Sequence, residues 1–197
     1  MSALLHNLQR PECIHVLINH LPLTGLFAAL LGLVGCLAIR KRAAVSLGMG
    51  LVSLFSLSAW PVYVYGEQGY DRVYSMADAD GDAYLNRHKE LAERWIWPFY
   101  LTAGVGAVGV VAGWRRPKWL WALAWATAVL AAASLIAGAV IADAGGKVRH
   151  PEFRNGPPPA AQDKSRVDDA SPQWSSRERA QKAQRIRVSA PLVPFHG

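Results

Sequence analysis

Residues 95–142 read WIWPFYLTAGVGAVGVVAGWRRPKWLWALAWATAVLAAASLIAGAVIA. Two apolar runs, about Trp95 to Trp114 and Trp119 to Ala142, are parted only by Arg115, Arg116, Pro117 and Lys118. Each is long enough to cross a hydrocarbon core of about 30 Å, which takes roughly 20 helical residues. Neither alternates with the period of a strand, and both are rich in Leu, Ala and Gly, so both are predicted helices. The pattern recurs upstream: about Leu21 to Ile39 stops at Arg40-Lys41-Arg42, and about Val45 to Tyr65 follows. The sequence therefore predicts an all-α, integral-membrane four-helix bundle over residues 1–154. Residues 155–197 form a polar, Pro-rich tail, disordered or extended.

Composition agrees. The 197 residues carry a net charge of +7 and are 52% hydrophobic but only 18% charged, against about 25% charged in a soluble domain. Mean hydropathy is +0.12. These values exclude an ordinary soluble enzyme.

Two tight turns and an even number of spans put both turns on one side. The N-terminus, the 66–94 loop and the tail then share the other. The turns hold six Lys/Arg and no acid, which places them in the cytoplasm and the termini in the periplasm. Trp60, Tyr63, Tyr65, Trp95, Trp97 and Tyr100 mark one interfacial belt, and Trp114, Trp119 and Trp121 mark the other. Leu33-Val34-Gly35-Cys36 has the form of a lipoprotein cleavage box. Its basic residues follow the apolar run instead of preceding it, so the first span reads as uncleaved. Cys13 and Cys36 are 23 residues apart on one helical run, roughly 35 Å, too far for a disulfide.

Within the third span, Gly104, Gly106, Gly109 and Gly113 make a small-residue face, with Gly109 and Gly113 at GxxxG spacing. Such a face admits close helix packing, or else a flat cofactor; packing is the preferred reading. Ser53 and Ser56 share a face of the second span, where hydroxyls can bond carbonyls of their own helix.

The histidines are the most informative residues. His15, His20, His88 and His150 all fall near span ends on one side, accompanied by Glu12, Glu67, Glu90, Glu93 and Glu152. None falls in the basic turns. Neutral imidazole is a common ligand of metals and haem, so a shallow site there would collect ligands from three distant parts of the chain. His15 and His20 stand about 140° apart around a helix and do not face one ligand easily. His20 and His88 are the first candidates for axial ligands, with His15 and His150 next. Glu90 and Glu152 would orient the imidazoles through the other ring nitrogen. Gly145-Gly146 reads as the stop of the fourth span.

Three stretches carry a resemblance. They are Ile14-His15-Val16-Leu17-Ile18-Asn19-His20-Leu21-Pro22, the helical His88-Lys89-Glu90-Leu91-Ala92, and Gly145-Gly146-Lys147-Val148-Arg149-His150-Pro151-Glu152-Phe153. Together they resemble an uncharacterised bacterial family of four-helix membrane proteins whose first span opens with an His-(Leu/Phe)-Pro element. The resemblance covers about residues 10–154. Relatives of this kind are sometimes joined to iron–sulfur or cytochrome modules, which implies an electron-transfer setting in a bacterial inner membrane. It does not identify a ligand.

Residues 78–89 resemble a calcium-binding EF-hand loop, with Asp78, Asp80 and Asp82 at positions 1, 3 and 5. Ala83 replaces the turn glycine and Lys89 stands where the bidentate glutamate belongs. The alternative is an acidic turn that caps the helix after it, and this is the preferred reading. In the tail, Ser175 and Glu178 have capping-box spacing ahead of a short helix over Arg177 to Arg187. Val188 to Phe195 is apolar and suited to lie against a protein partner. The tail interleaves basic and acidic residues, which argues against nucleic acid.

No nucleotide-binding glycine motif, HExxH or nucleophile–base pair is present. The leading expectation is a redox subunit that binds haem b, or a transition metal, through these histidines. Its rival is a cofactor-free accessory subunit, docked through residues 155–197. A transporter is disfavoured because the deep parts of the spans carry no ionisable residue.

Overall fold

The computed structural model describes residues 8–156, which form helices joined by short turns. In chain order these are α1 (Pro11–Ile18), a π-helical turn (Leu21–Gly25), α2 (Leu26–Ile39), α3 (Arg42–Leu57) and α4 (Ala59–Tyr74). Then come α5 (Ala79–Trp95), α6 (Trp97–Arg115), α7 (Pro117–Arg149) and a 3-10 turn (Pro151–Phe153). They line up as four rods, Pro11–Ile39, Arg42–Tyr74, Asp80–Arg115 and Lys118–Arg149, each long and apolar enough to cross a membrane. The architecture is the four-helix membrane bundle that the sequence predicts. The short helix and apolar segment expected in the tail lie outside the described residues.

The rods are longer than the spans. At 1.5 Å per residue, the 33 residues of α7 reach about 50 Å, well beyond the hydrocarbon core. The basic turns are short, Arg40 and Lys41 between α2 and α3 and Arg116 between α6 and α7, so the surplus projects at the opposite end, called here the far end. Most of the 66–94 segment, read as a loop from the sequence, is helix there, interrupted only at residues 75–78.

Proline explains why three rods are jointed. It removes one N–H and clashes with the carbonyl four residues back. Pro22 lies in the π-helical turn, Pro61 three residues after the joint at Ser58, and Pro98 two after the joint at Ile96. Hydroxyls add hydrogen bonds beside two of the joints: Thr24 Oγ1 donates to His20 O at 2.6 Å, and Ser58 Oγ to Phe55 O at 2.6 Å. The fourth rod is continuous.

The membrane half has its core in Leu26, Leu33, Val45, Met49, Val52, Phe99, Leu120 and Ala124, all buried. Small residues bring α6 close to its neighbours. A methyl group on Gly106 would stand 3.1 Å from the Met49 carbonyl oxygen, and one on Gly109 would stand 2.7 Å from Met49 Sδ. Gly106, Gly109 and Gly113 thus serve packing against α3 and α7, while Gly104 faces open space. Thr102 and Ser134 are wholly buried and their hydroxyls meet at 2.9 Å between α6 and α7, each also placed to donate to the carbonyl four residues back, that of Pro98 and of Leu130. Ser53 and Ser56 differ from expectation: their buried hydroxyls have no hydrogen-bond partner among the described residues. Cys13 and Cys36 are both free thiols.

At the far end α1 packs on α4 and α5 on α7. A second, smaller core of Tyr84, Leu85 and Val148 forms there, with Tyr70, Val73 and Tyr74 against it.

Gly106→Ala forces its methyl against backbone and should lower unfolding stability in detergent by about 1–3 kcal/mol. Gly104, where a methyl would meet nothing within 4 Å, is the control. Gly104→Ala should be neutral or stabilising by about 0.5–1 kcal/mol.

Candidate functional site

At the far end each helix pair is closed by one histidine. His15 on α1 donates Nδ1–H to the carbonyl oxygen of Val62 on α4, 2.8 Å away. His88 on α5 donates Nδ1–H to the carbonyl oxygen of Ile141 on α7, also at 2.8 Å. A carbonyl has no proton to give, so the proton of each ring sits on Nδ1. In the neutral ring Nε2 then keeps its lone pair, the form in which imidazole binds metal.

Each ring reaches its carbonyl across a glycine one turn further along the helix. Side chains lean toward a helix N-terminus, so a larger residue at i+4 would cover the carbonyl at i. Val62 is followed at that step by Gly66, and Ile141 by Gly145. A methyl group on Gly66 would stand 3.0 Å from His15 Nδ1 and 3.1 Å from its Cε1. On Gly145 it would stand 3.0 Å from both Nδ1 and Cε1 of His88. The two helical hairpins, α1–α4 and α5–α7, therefore present the same device: a histidine on the first rod, a carbonyl and a glycine on the second.

The Nδ1–Cε1 edge of each ring lies on its glycine, so the side of the ring carrying Nε2 and Cδ2 is turned away from that helix. The two rings meet each other with centroids 6.3 Å apart and planes at 82°. Polar contacts hold the hairpins together beside them. Lys89 Nζ lies 3.4 Å from Glu67 and 4.9 Å from the centre of the Tyr70 ring, and the Tyr70 hydroxyl donates to the Asn86 carbonyl oxygen. Within the α1–α4 hairpin, Glu12 pairs with Arg72 at 2.7 Å.

The other candidates fall elsewhere. His20 is exposed, at the turn after α1, and among the described residues its contacts are made by its backbone carbonyl. His150 is exposed beyond α7, 2.9 Å from Glu152 and stacked on Phe153 at 5.0 Å. Glu152 thus orients an imidazole, that of His150. Glu90 pairs with Arg87 at 2.8 Å, and the orienting partner of His88 is a backbone carbonyl. Gly145-Gly146, read as a helix stop, lies inside α7, which continues to Arg149. The glycine there serves His88.

Asp78 is the N-cap of α5. Its side chain accepts from Gly81 N–H at 2.6 Å and takes Arg154 in a two-pronged pair at 2.9 and 3.0 Å. Arg154 also donates to the carbonyls of Lys147 and Val148 at the end of α7. One guanidinium therefore joins the start of α5 to the end of α7, and the EF-hand-like acids form the capping turn. Among the described residues no group of three or more His, Cys, Asp or Glu is placed to hold a metal ion.

The sequence signal for the site was His15 with Gly66 and His88 with Gly145, but pairs more than fifty residues apart have no local pattern. No family model, curated protein or solved structure matches the chain. The site is therefore read from its own geometry.

Adding one carbon at either seat should displace its ring: Gly66→Ala and Gly145→Ala are each expected to cost about 1–3 kcal/mol in detergent unfolding. A second measurement concerns Asp78, whose carboxyl the Arg154 bond and then the Gly81 N–H hold below the usual carboxylate range. Its contribution is present above the unfolded value of about 4 and is lost as pH falls through the lower folded value. Asn is also a good cap, so Asp78→Asn should lower Tm at neutral pH, with the difference shrinking below about pH 4.

Proposed function

We propose that this protein is a membrane-embedded redox subunit that holds a b-type haem or a transition-metal ion through His15 and His88. The observation that carries this is the pair itself: two neighbouring imidazoles, each with its proton fixed on Nδ1 by a carbonyl, so that both Nε2 atoms are available as ligands. A hydrogen bond at the other ring nitrogen is what orients a ligating histidine and raises its basicity. The resemblance to membrane proteins joined with cytochrome or iron–sulfur modules supports the electron-transfer setting. His20, first ranked on the sequence, is replaced by His15 as the partner of His88. The basic turns face the cytoplasm in this reading, which places the pair near the periplasmic face.

The bound iron or metal supplies the one-electron couple. The chain's own part is to orient the two rings, to hold them between rigid helices and to keep Nε2 unprotonated.

A second reading is favoured by the same hydrogen bonds. Each Nδ1–H ties two helices, so the histidines also serve a cofactor-free accessory subunit that docks another protein through residues 155–197.

One sample separates the two: full-length protein purified in detergent from haem-replete cells, measured by oxidised-minus-reduced visible spectrum and metal analysis. A stoichiometric centre is expected, lost in His15→Asn and His88→Asn and kept in His20→Asn. Asparagine retains a donor near the Nδ1 position but lacks Nε2, so the helix ties survive. A colourless, metal-free protein that loses a co-purifying partner on removal of 155–197 would establish the accessory reading instead.

A further inference from the structure

Two imidazoles, with no third His, Cys, Asp or Glu grouped with them among the described residues, are a selective set. Zinc takes four ligands in structural sites and three protein donors even in catalytic ones. Calcium and magnesium ask for six or more oxygens. Imidazole suits copper, iron, nickel and zinc. Of these, only monovalent copper, with a closed d shell, is satisfied by two nitrogen donors in line.

The separation fits that geometry. Metal–nitrogen bonds of about 2 Å put the ring centres of two in-line imidazoles about 6 Å apart, and those at a tetrahedral angle about 5 Å apart. The centres of His15 and His88 are 6.3 Å apart. A porphyrin shares the in-line spacing, but it needs a flat slot reaching well beyond both rings. On the α4–α5 side the hairpins are closed by Lys89 on Glu67 and Tyr70 on Asn86. Glu67 and Lys89 are the immediate chain neighbours of Gly66 and His88, so those contacts lie within one helical step of the pair.

We infer that His15 and His88 bind one monovalent copper ion in line through their Nε2 atoms, at the junction of the two hairpins. This rests on the reading of the pair as ligands and narrows it to one ion and one oxidation state. Each hairpin supplies one ligand, so the ion also joins the two halves of the bundle at the far end.

The test titrates metal-free, full-length protein in detergent anaerobically with Cu(I), against a chromogenic Cu(I) chelator, and records X-ray absorption on the loaded sample. The expected result is one ion per chain with two nitrogen neighbours at about 2 Å and no sulfur. His15→Asn and His88→Asn should each weaken binding by at least about tenfold, with His20→Asn unchanged and thermal unfolding confirming that each variant is folded. Should an Asn variant unfold, the absorption spectrum of the unsubstituted protein decides alone. Sulfur in the shell, with binding lost in Cys13→Ser or Cys36→Ser, overturns the inference, as does binding indifferent to both Asn variants. Haem bound at the pair with no copper taken up overturns the copper assignment and leaves the ligand reading standing. If neither binds, both fall.

Discussion

Hydrocarbon offers no partner to a peptide N–H or C=O, so a chain that crosses it must satisfy each of these groups within its own segments. The rest of the structure depends on that constraint. It makes the crossing segments helical and keeps the rod through the bilayer regular. The rods are jointed near Pro22, Pro61 and Pro98, and Thr24 and Ser58 add side-chain hydrogen bonds beside two of those joints. Past the joints the rods keep the same partners, α1 on α4 and α5 on α7, while α4 and α5 touch far less than α3 and α6 do in the bundle, and the histidines of the two pairs meet there.

Glycine acts in two ways along the same rods. In the bilayer Gly106 and Gly109 let α6 lie against Met49 of α3, because lipid gives helices no hydrophobic drive to associate and close contact must supply it. At the far end Gly66 and Gly145 are seats for imidazoles. A missing side chain there exposes a carbonyl already bonded within its helix to a second donor from outside. The cost of a glycine inside a helix, roughly 0.5–1 kcal/mol relative to alanine, is offset at both seats by a hydrogen bond that ties two helices and fixes a tautomer.

Charge governs the outer rim. The N-terminus of α5 and the C-terminus of α7 lie together, with orphan N–H groups on one and orphan carbonyls on the other. Asp78 serves the first, Arg154 the second, and their ion pair joins the two. A row of acids with calcium-loop spacing is thereby used as a cap. The sequence already disfavoured calcium through Ala83 and Lys89. It could not show that an arginine 76 residues away completes the turn.

The sequence by itself determined the four apolar rods, their tight basic turns, the two-sidedness of the molecule and the gathering of histidines at one end. Those follow from local rules, since length, hydropathy and charge act along the chain within a few residues. The pairing of His15 with His88, the choice of Val62 and Ile141 as their acceptors, and the use of Gly145 inside a helix instead of at its end were decided only by tertiary structure. Which ring meets which depends on how two hairpins rotate about their own axes once α1 and α5 pass the membrane. That rotation is set by contacts between residues far apart in sequence, for which no local pattern of residues stands in.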